Sequence, residues 1–398
     1  MLIGVVGKPS TGKSTFFKAC TLADVAIASY PFTTLEPNEG VGYVRVECVD
    51  KELNTQCNPR VGYCINHIRF VPVKLLDVAG LVPDAHKGKG MGNQFLDDLR
   101  QADVLIHIID ASGNTNERGE EVPQGSYDPA FDVRFLEYEL DMWYLGILKK
   151  GWERFSRQIV QEKQQIHKAL TKQLTGLGVT EDMIKLAMTM FSLSEKPATQ
   201  WSDDDLLRLA AELRRKTKPM IIAANKMDMP GARKNIERLQ QEFPQYVIVP
   251  TSAESEVALK TAAKKELIGY VPGDKDFKVL NRPMMSDKQF AALEYIKAGI
   301  LGEFSSTGVQ DVLDKAVFDV LHYKAIFPGG LNKLEDSEGR RLPDCWLVPE
   351  NATALDFAFR IHTDLGNKFI RAIDVKTRKT VGKEHMLRHR DVIEIVAG

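Results

Sequence analysis

The amino terminus reads MLIGVVGKPSTGKS, from Met1 to Ser14. Leu2–Val6 is a short apolar run of the kind that forms a buried strand, and Lys13–Leu22 has the composition of a helix. Between them lies Gly7-Lys8-Pro9-Ser10-Thr11-Gly12-Lys13-Ser14, a glycine-bounded turn that leaves a strand and opens a helix. That context marks a phosphate loop. Its glycines let backbone N–H groups point inward at phosphates, and the helix N-terminus adds a favourable field. The whole loop, from Gly7 through Thr15, is therefore read as nucleotide-binding. Lys13 is expected to reach the β- and γ-phosphates, and the Ser14 hydroxyl to ligate magnesium.

Working outward, Val41–Val46 and Phe70–Val78 read as two further strands. Val104–Asp110 (VLIHIID) and Met220–Ala224 (MIIAA) are buried-strand runs of the parallel-sheet kind, and Tyr246–Pro250 closes the series. Helical segments between them predict an α/β sheet covered on both faces. The stretch from about Phe131 to Lys216 is rich in Leu, Glu, Lys, Gln and Arg and reads as a helical insertion. Within it, Trp152–Leu174 is expected to be one helix, stopped by Gly176 and Gly178. A second helical region, about 271–330, contains Met285–Phe304 and Val309–Tyr323. The linker FPGGLNKLEDSEGRRLPD, Phe327 to Asp344, has the glycine and charge content of a boundary. Beyond it, strand Trp346–Val348, helix Ala354–His362 capped by Thr353 and stopped at Gly366, and strands Phe369–Val375 and Val392–Val396 suggest a small α+β module.

Two further motifs carry chemistry. Asp77-Val78-Ala79-Gly80 ends an apolar strand, where the carboxylate can hold magnesium and the Gly80 N–H can sense a γ-phosphate. Asn225-Lys226-Met227-Asp228 directly follows MIIAA. Guanine presents two donors on one edge, N1–H and the exocyclic amine, and one carboxylate accepts from both. Adenine has an acceptor at N1, which would face the carboxylate repulsively. Charge-assisted hydrogen bonds contribute roughly 1.5–3 kcal/mol, enough for about ten- to a hundredfold discrimination. Asp228 is thus expected to read guanine, with Lys226 along the base and Asn225 tying the loop to the phosphate side. Thr251-Ser252-Ala253 is placed to offer backbone N–H groups to guanine O6.

Composition narrows the alternatives. At 398 residues the chain has room for two or three domains. A net charge of −1 excludes a whole-molecule polyanion binder, so nucleic-acid contact would need a local patch. Cys20, Cys48, Cys57, Cys64 and Cys345 are odd in number and contain no C-x-x-C pair. Free reduced thiols are expected; Cys48, Cys57 and Cys64 have no spacing that indicates a four-ligand zinc site. With no apolar run of about eighteen residues and the phosphate loop directly at the start, a cytoplasmic protein without a signal peptide or membrane span is expected.

The runs Ile27–Gly42 (IASYPFTTLEPNEGVG) and Asp77–Gln94 (DVAGLVPDAHKGKGMGNQ) closely resemble the two switch regions of the Obg-family GTPases, especially the YchF-like branch. The resemblance covers nearly the whole chain, including the helical insertion and a tail similar to a TGS domain of β-grasp shape. It implies an α/β fold: a P-loop, Ras-like GTPase domain over about residues 1–270 with the insertion at about 131–216, then a TGS-like module over 335–398. It further implies GTP and GDP as ligands, magnesium as cofactor, a monomer, and association with ribosomes or RNA through the TGS domain and the insertion. Arg360, Lys368, Arg371, Lys376, Arg378, Lys379, Lys383, Arg388 and Arg390 suit RNA phosphate, and equally suit a solvated surface. In the first switch the magnesium-sensing hydroxyl is Thr33 or Thr34, and the second switch is rich in glycine at Gly88, Gly90 and Gly92.

Three departures from common GTPase patterns bear on activity. Leu81 stands where many GTPases carry a water-orienting glutamine. Obg-like proteins share the replacement, so slow intrinsic hydrolysis is expected, with His86 as the nearest polar candidate to place water. Ser10 stands where the family loop carries an asparagine that helps potassium-assisted hydrolysis, so potassium stimulation is not implied. Some YchF-like proteins have glutamate in place of the base-reading aspartate and prefer ATP, whereas Asp228 argues for GTP. A nucleotide-gated binding protein with negligible hydrolysis, and an ATPase of the YchF kind, stay open as alternatives.

Overall fold

The computed structural model describes residues 1–22, 38–78 and 98–398. In chain order the strands are β1 (Leu2–Val6), β2 (Glu39–Glu47), β3 (Tyr63–Ile65), β4 (Ile68–Asp77), β5 (Val104–Asp110), β6 (Met220–Asn225), β7 (Val247–Pro250), β8 (Ile268–Gly269), β9 (Lys278–Val279), β10 (Lys324–Pro328), β11 (Trp346–Val348), β12 (Phe369–Asp374), β13 (Lys379–Val381) and β14 (Val392–Ala397). The helices are α1 (Lys13–Thr21), α2 (Ala130–Lys149), α3 (Trp152–Gln161), α4 (Ile166–Leu174), α5 (Glu181–Met190), α6 (Asp203–Thr217), α7 (Ala232–Glu242), α8 (Ala253–Lys264), α9 (Asp287–Tyr295), α10 (Val309–Lys315), α11 (Ala354–Ile361) and α12 (Thr363–Asn367). None of the described helices is long and apolar enough to cross a membrane.

The chain divides into two compact units, Met1–Thr15 with Leu76–Ser252, and Phe16–Leu75 with Ala253–Gly398. In the first, β1, β5, β6 and β7 run parallel, with Ile3 opposite Val104, Leu105 opposite Met220 and Ile221 opposite Val247. Every residue of β5 and β6 is buried, which is what an apolar run without alternation demands. The insertion is helical from Ala130 to Thr217, and its core joins Leu136, Leu140 and Trp143 of α2 to Leu206, Leu209 and Leu213 of α6. Ser202 caps α6 in a reciprocal box with Asp205, and three aspartates in its first turn oppose Arg214, Arg215 and Lys216 in its last.

One expectation fails here. Trp152–Leu174 is two helices, α3 and α4, separated at residues 162–165 where Lys163 takes a φ of 51°. Composition favours helix throughout, but Lys163 in left-handed backbone interrupts the helical hydrogen-bond ladder, and buried side chains lie on both sides of the break, Ile159 before it and Leu170 and Leu174 after it. Gly178, at φ 73°, does end the following turn.

In the second unit β3 and β4 form a hairpin whose two-residue turn, Asn66-His67, has φ of 50° and 62°. Arg45 of β2 pairs with Asp311 and Asp314 of α10, both at 2.7 Å. The tail is a five-stranded sheet in the order β11–β10–β14–β12–β13, with β10 and β14 parallel, packed on α11 through Ile326, Ala354, Phe357 and Ile393. Thr353 caps α11 in a box with Asp356. Strand β10 is read from sequence as the end of a helix and the start of a linker; it becomes a strand by pairing with β11 and β14.

Candidate nucleotide-binding site

After β1 the chain turns through Gly7–Gly12 before α1 starts at Lys13. Ser10 and Gly12 both adopt left-handed backbone, with φ of 64° and 88°. Glycine is required at position 12, because a β-carbon there would collide with the Asn225 side-chain amide. Ser10 holds a conformation that asparagine tolerates better than serine does. Thr11 is fully buried, and its hydroxyl donates to the Lys8 carbonyl at 3.0 Å, closing the loop on itself.

Lys8 turns away from the loop interior. Its buried ammonium donates to the Thr115 carbonyl at 2.9 Å, lies 2.9 Å from the Asp132 carboxylate, and sits 3.9 Å over the Tyr127 ring. Burial pulls its pKa below the ordinary lysine value, against the opposing pull of Asp132. Any Lys8 contact with a nucleotide is thus left to its backbone. Gly119, at φ 78°, approaches so closely that a β-carbon would lie 2.6 Å from the Pro9 carbonyl oxygen. The segment from Thr115 to Tyr127 therefore braces the outer side of the phosphate loop, a role not legible in its sequence.

Lys13 donates to Asp77 Oδ1 and to the Val78 carbonyl, both at 2.5 Å. Asp77 ends β4, and the Val78 N–H donates to the Val5 carbonyl at 3.1 Å. Ser14 is exposed on the first turn of α1, and the Asp77 carboxylate is partly exposed. A hydroxyl and a carboxylate are the hard oxygen donors that magnesium prefers, so this pair fits the ion.

The Asn225–Asp228 loop is tied to the Gly7–Ser14 loop: the buried Asn225 Nδ2 donates to the Thr11 carbonyl at 2.8 Å. Lys226, at φ 61°, places its ammonium 2.8 Å from Asp110 Oδ2. Asp110 ends β5 opposite Asn225 and is almost fully buried. Burial alone would raise its pKa. Lys226, Ser112 and Thr115 donate to the carboxylate and together hold it below the usual range. Sequence reading missed Asp110, although an acid closing a strand level with the Asn225 strand end was a usable signal.

The Met227 N–H donates to the Thr251 carbonyl at 3.0 Å, and the Thr251 N–H to the Ala224 carbonyl at 2.9 Å, so the end of β7 supports the loop. Thr251 and Ser252 are buried; Ala253 opens α8 in the second unit. Asp228 is exposed and its carboxylate has no side-chain partner among the described residues. The first unit thus gathers Gly7–Ser14, Asp77, Asn225–Asp228, Thr251 and Ser252 at the carboxyl ends of its strands, where open α/β sheets bind ligands. Thr33, Thr34, Gly80, Leu81 and His86 lie outside the described residues.

The chain matches three family models: a 50S ribosome-binding GTPase over residues 2–129, an Obg-like GTPase YGR210-like, G4 motif-containing domain over 223–329, and a TGS domain over 335–397. It is 48% identical to a GTP-binding protein of Methanocaldococcus jannaschii over 397 residues, covering 100% of this chain and 99% of that one. It is 29% identical over 276 residues to a Bacillus subtilis protein named ribosome-binding ATPase YchF, covering 66% and 69% of the two chains. The crystal structure of a GTP-binding protein from Pyrococcus horikoshii OT3 superposes with a TM-score of 0.79 at 39% identity, with each chain covered in full.

Proposed function

The chain belongs to the Obg-family GTPases, in their YchF-like branch, with a P-loop GTPase domain and a C-terminal TGS domain, and from that premise we propose that it binds GTP with magnesium and hydrolyses it slowly. The observation that carries the guanine reading is the exposed Asp228 carboxylate, without a side-chain partner among the described residues, on a loop fastened to the phosphate loop through Asn225 and Thr11. Such a carboxylate accepts from both guanine donors and repels adenine N1.

Hydrolysis is in-line attack of water on the γ-phosphorus, with the bond to the β–γ bridging oxygen breaking and GDP and phosphate leaving. Lys13 would exchange Asp77 for the β- and γ-phosphates and neutralise charge there. Ser14 and Asp77, with Thr33 or Thr34, would hold magnesium, which when bound supplies further positive charge to the phosphate oxygens. Gly80 would sense the γ-phosphate through its N–H, and Thr251, Ser252 and Ala253 would offer N–H groups to the base. Leu81 can orient no water, which leaves His86 as a candidate to place it and makes the unaided rate low.

The B. subtilis relative is named for ribosome binding, and the basic residues of the tail suit phosphate. We therefore place the TGS domain and the helical insertion as the ribosome- or RNA-facing parts of a cytoplasmic monomer. The same relative is named an ATPase, which makes ATP the competing substrate. Single-turnover cleavage of labelled GTP and ATP, with magnesium and with or without ribosomes, tests the reading. GTP should be cleaved slowly alone and faster with ribosomes. No GTP cleavage in either condition would leave a nucleotide-gated binding protein, and faster ATP cleavage would reverse the assignment.

A further inference from the structure

Residues 48–62 connect β2 to β3 with no helix or strand of their own. So long an irregular connection needs a reason to hold one shape. It also bears the contacts of the C-terminal module: the Asn58 and Arg60 N–H groups donate to the Arg341 and Pro343 carbonyls, each at 2.9 Å, and Lys376 pairs with Glu52 at 2.7 Å. The apolar cluster beside it is small, with Val41, Tyr43 and Phe70 as its buried members.

Three cysteines and an aspartate converge in this segment. Cys48, Asp50 and Cys57 are buried and Cys64 is half-buried, and their ligating atoms all lie within 4.8 Å of one another. The Cys48 and Cys57 sulfurs are 3.6 Å apart. A disulfide would need about 2.0 Å, whereas two thiolates on a tetrahedral zinc, each at about 2.3 Å from it, lie roughly 3.8 Å apart. The carboxylate of Asp50 is already fixed, accepting from the Cys57 N–H at 3.0 Å and lying 2.9 Å from His67 Nδ1. Such outer hydrogen bonds are what orient a metal ligand. The Cys48 N–H donates to the His67 carbonyl at 2.8 Å, which ties the hairpin turn to the cluster.

Charge points the same way. Arg69 is fully buried, donates to the Leu342 and Pro343 carbonyls, and has no carboxylate partner among the described residues. An uncompensated buried cation is costly. Three thiolates and a carboxylate around one dication carry a net charge of −2 and would compensate it.

We propose that Cys48, Asp50, Cys57 and Cys64 bind one zinc ion, a structural site that staples residues 48–64 and stiffens the platform under the C-terminal module. The three thiols release their protons to solvent as the ion enters. Soft thiolates select zinc over magnesium or calcium, and four ligands close the site against catalysis. The site is independent of the nucleotide reading, because it shares no residue with it.

Metal analysis of the full-length protein, purified without chelator, should find about one zinc per chain. Cobalt loaded in its place should give a thiolate charge-transfer band and intense visible bands, both lost in Cys57→Ser. If that variant does not fold, titrating the native wild-type thiols with a mercurial should release the zinc stoichiometrically to a chromogenic chelator. Asp50→Asn should weaken zinc at least about tenfold, while Cys345→Ser should leave zinc content unchanged. A metal-free protein whose three thiols react freely in the native state would overturn the proposal. So would a Cys48–Cys57 disulfide in the peptide map, or iron in place of zinc.

Discussion

The nucleotide loops and the cysteine segment are assembled in opposite ways. Each nucleotide loop is a contiguous motif between a strand and a helix, and hydrogen bonds such as Asn225 to Thr11 and Lys226 to Asp110 join one loop to the next. The cysteine segment has no motif and little regular structure, yet brings three sulfurs and a carboxylate within 4.8 Å. In the first region backbone geometry does the work, so residue order matters; in the second, side-chain chemistry does, so only the meeting point matters.

Substitutions in the first region should disturb nucleotide binding and leave the second region untouched. The largest effect is expected from Lys13→Ala, which removes the ammonium now held by Asp77 and Val78. GTP affinity measured by calorimetry should fall by about a hundredfold or more, with zinc content unchanged. Undiminished affinity would remove the phosphate-loop assignment. Asp228→Asn comes next: GTP should bind roughly ten- to a hundredfold more weakly, and xanthosine triphosphate, whose C2 oxygen suits an amide donor, should gain. No change in base preference would count against Asp228.

Smaller effects test the ties between loops. Asn225→Ala strands the Thr11 carbonyl in a buried site and should cost about 1–3 kcal/mol in urea unfolding, as well as weakening nucleotide binding. A comparable effect depends on pH. His107, inside β5, is fully buried, and burial drives its pKa down to about 3. Unfolded, it takes a proton near pH 6.5. The unfolded chain therefore holds the extra proton between those values, and stability falls as pH drops through them, by up to about 1.4 kcal/mol per pH unit. His107→Leu should flatten that slope between pH 6 and 4; an unchanged slope would place the proton uptake elsewhere.

The same contrast explains what the sequence reveals. Gly7–Ser14 and Asn225–Asp228 are legible because their chemistry is local and their spacing is imposed by a strand entering a helix. The parallel strands β5 and β6 are legible because burial on both faces makes each run mostly apolar, without the alternation of a half-exposed strand. Strand β10 is not legible, since Lys324–Pro328 is extended only because β11 and β14 pair with it. The break between α3 and α4 is equally hidden, because local propensity does not register where Leu170 and Leu174 must pack. Lys8 reads as a phosphate-loop residue, but Asp132, some 120 positions along the chain, turns its side chain away. The cysteine cluster escapes motif reading because Cys48, Cys57 and Cys64 follow no recurrent spacing; the 48–62 connection folds Cys57 back onto Cys48 and Asp50, and the Cys48 N–H bond to the His67 carbonyl ties them to the hairpin that carries Cys64.

On the proposed reading, one exposed carboxylate, that of Asp228, selects the base of a nucleotide whose phosphates lie on the first helix. Competition of unlabelled GTP and ATP against fluorescent GDP on the wild-type protein, at fixed magnesium, tests it most directly. GTP should displace the probe at least about tenfold more effectively than ATP, the margin expected of one charge-assisted contact. Equal or better displacement by ATP would contradict the account.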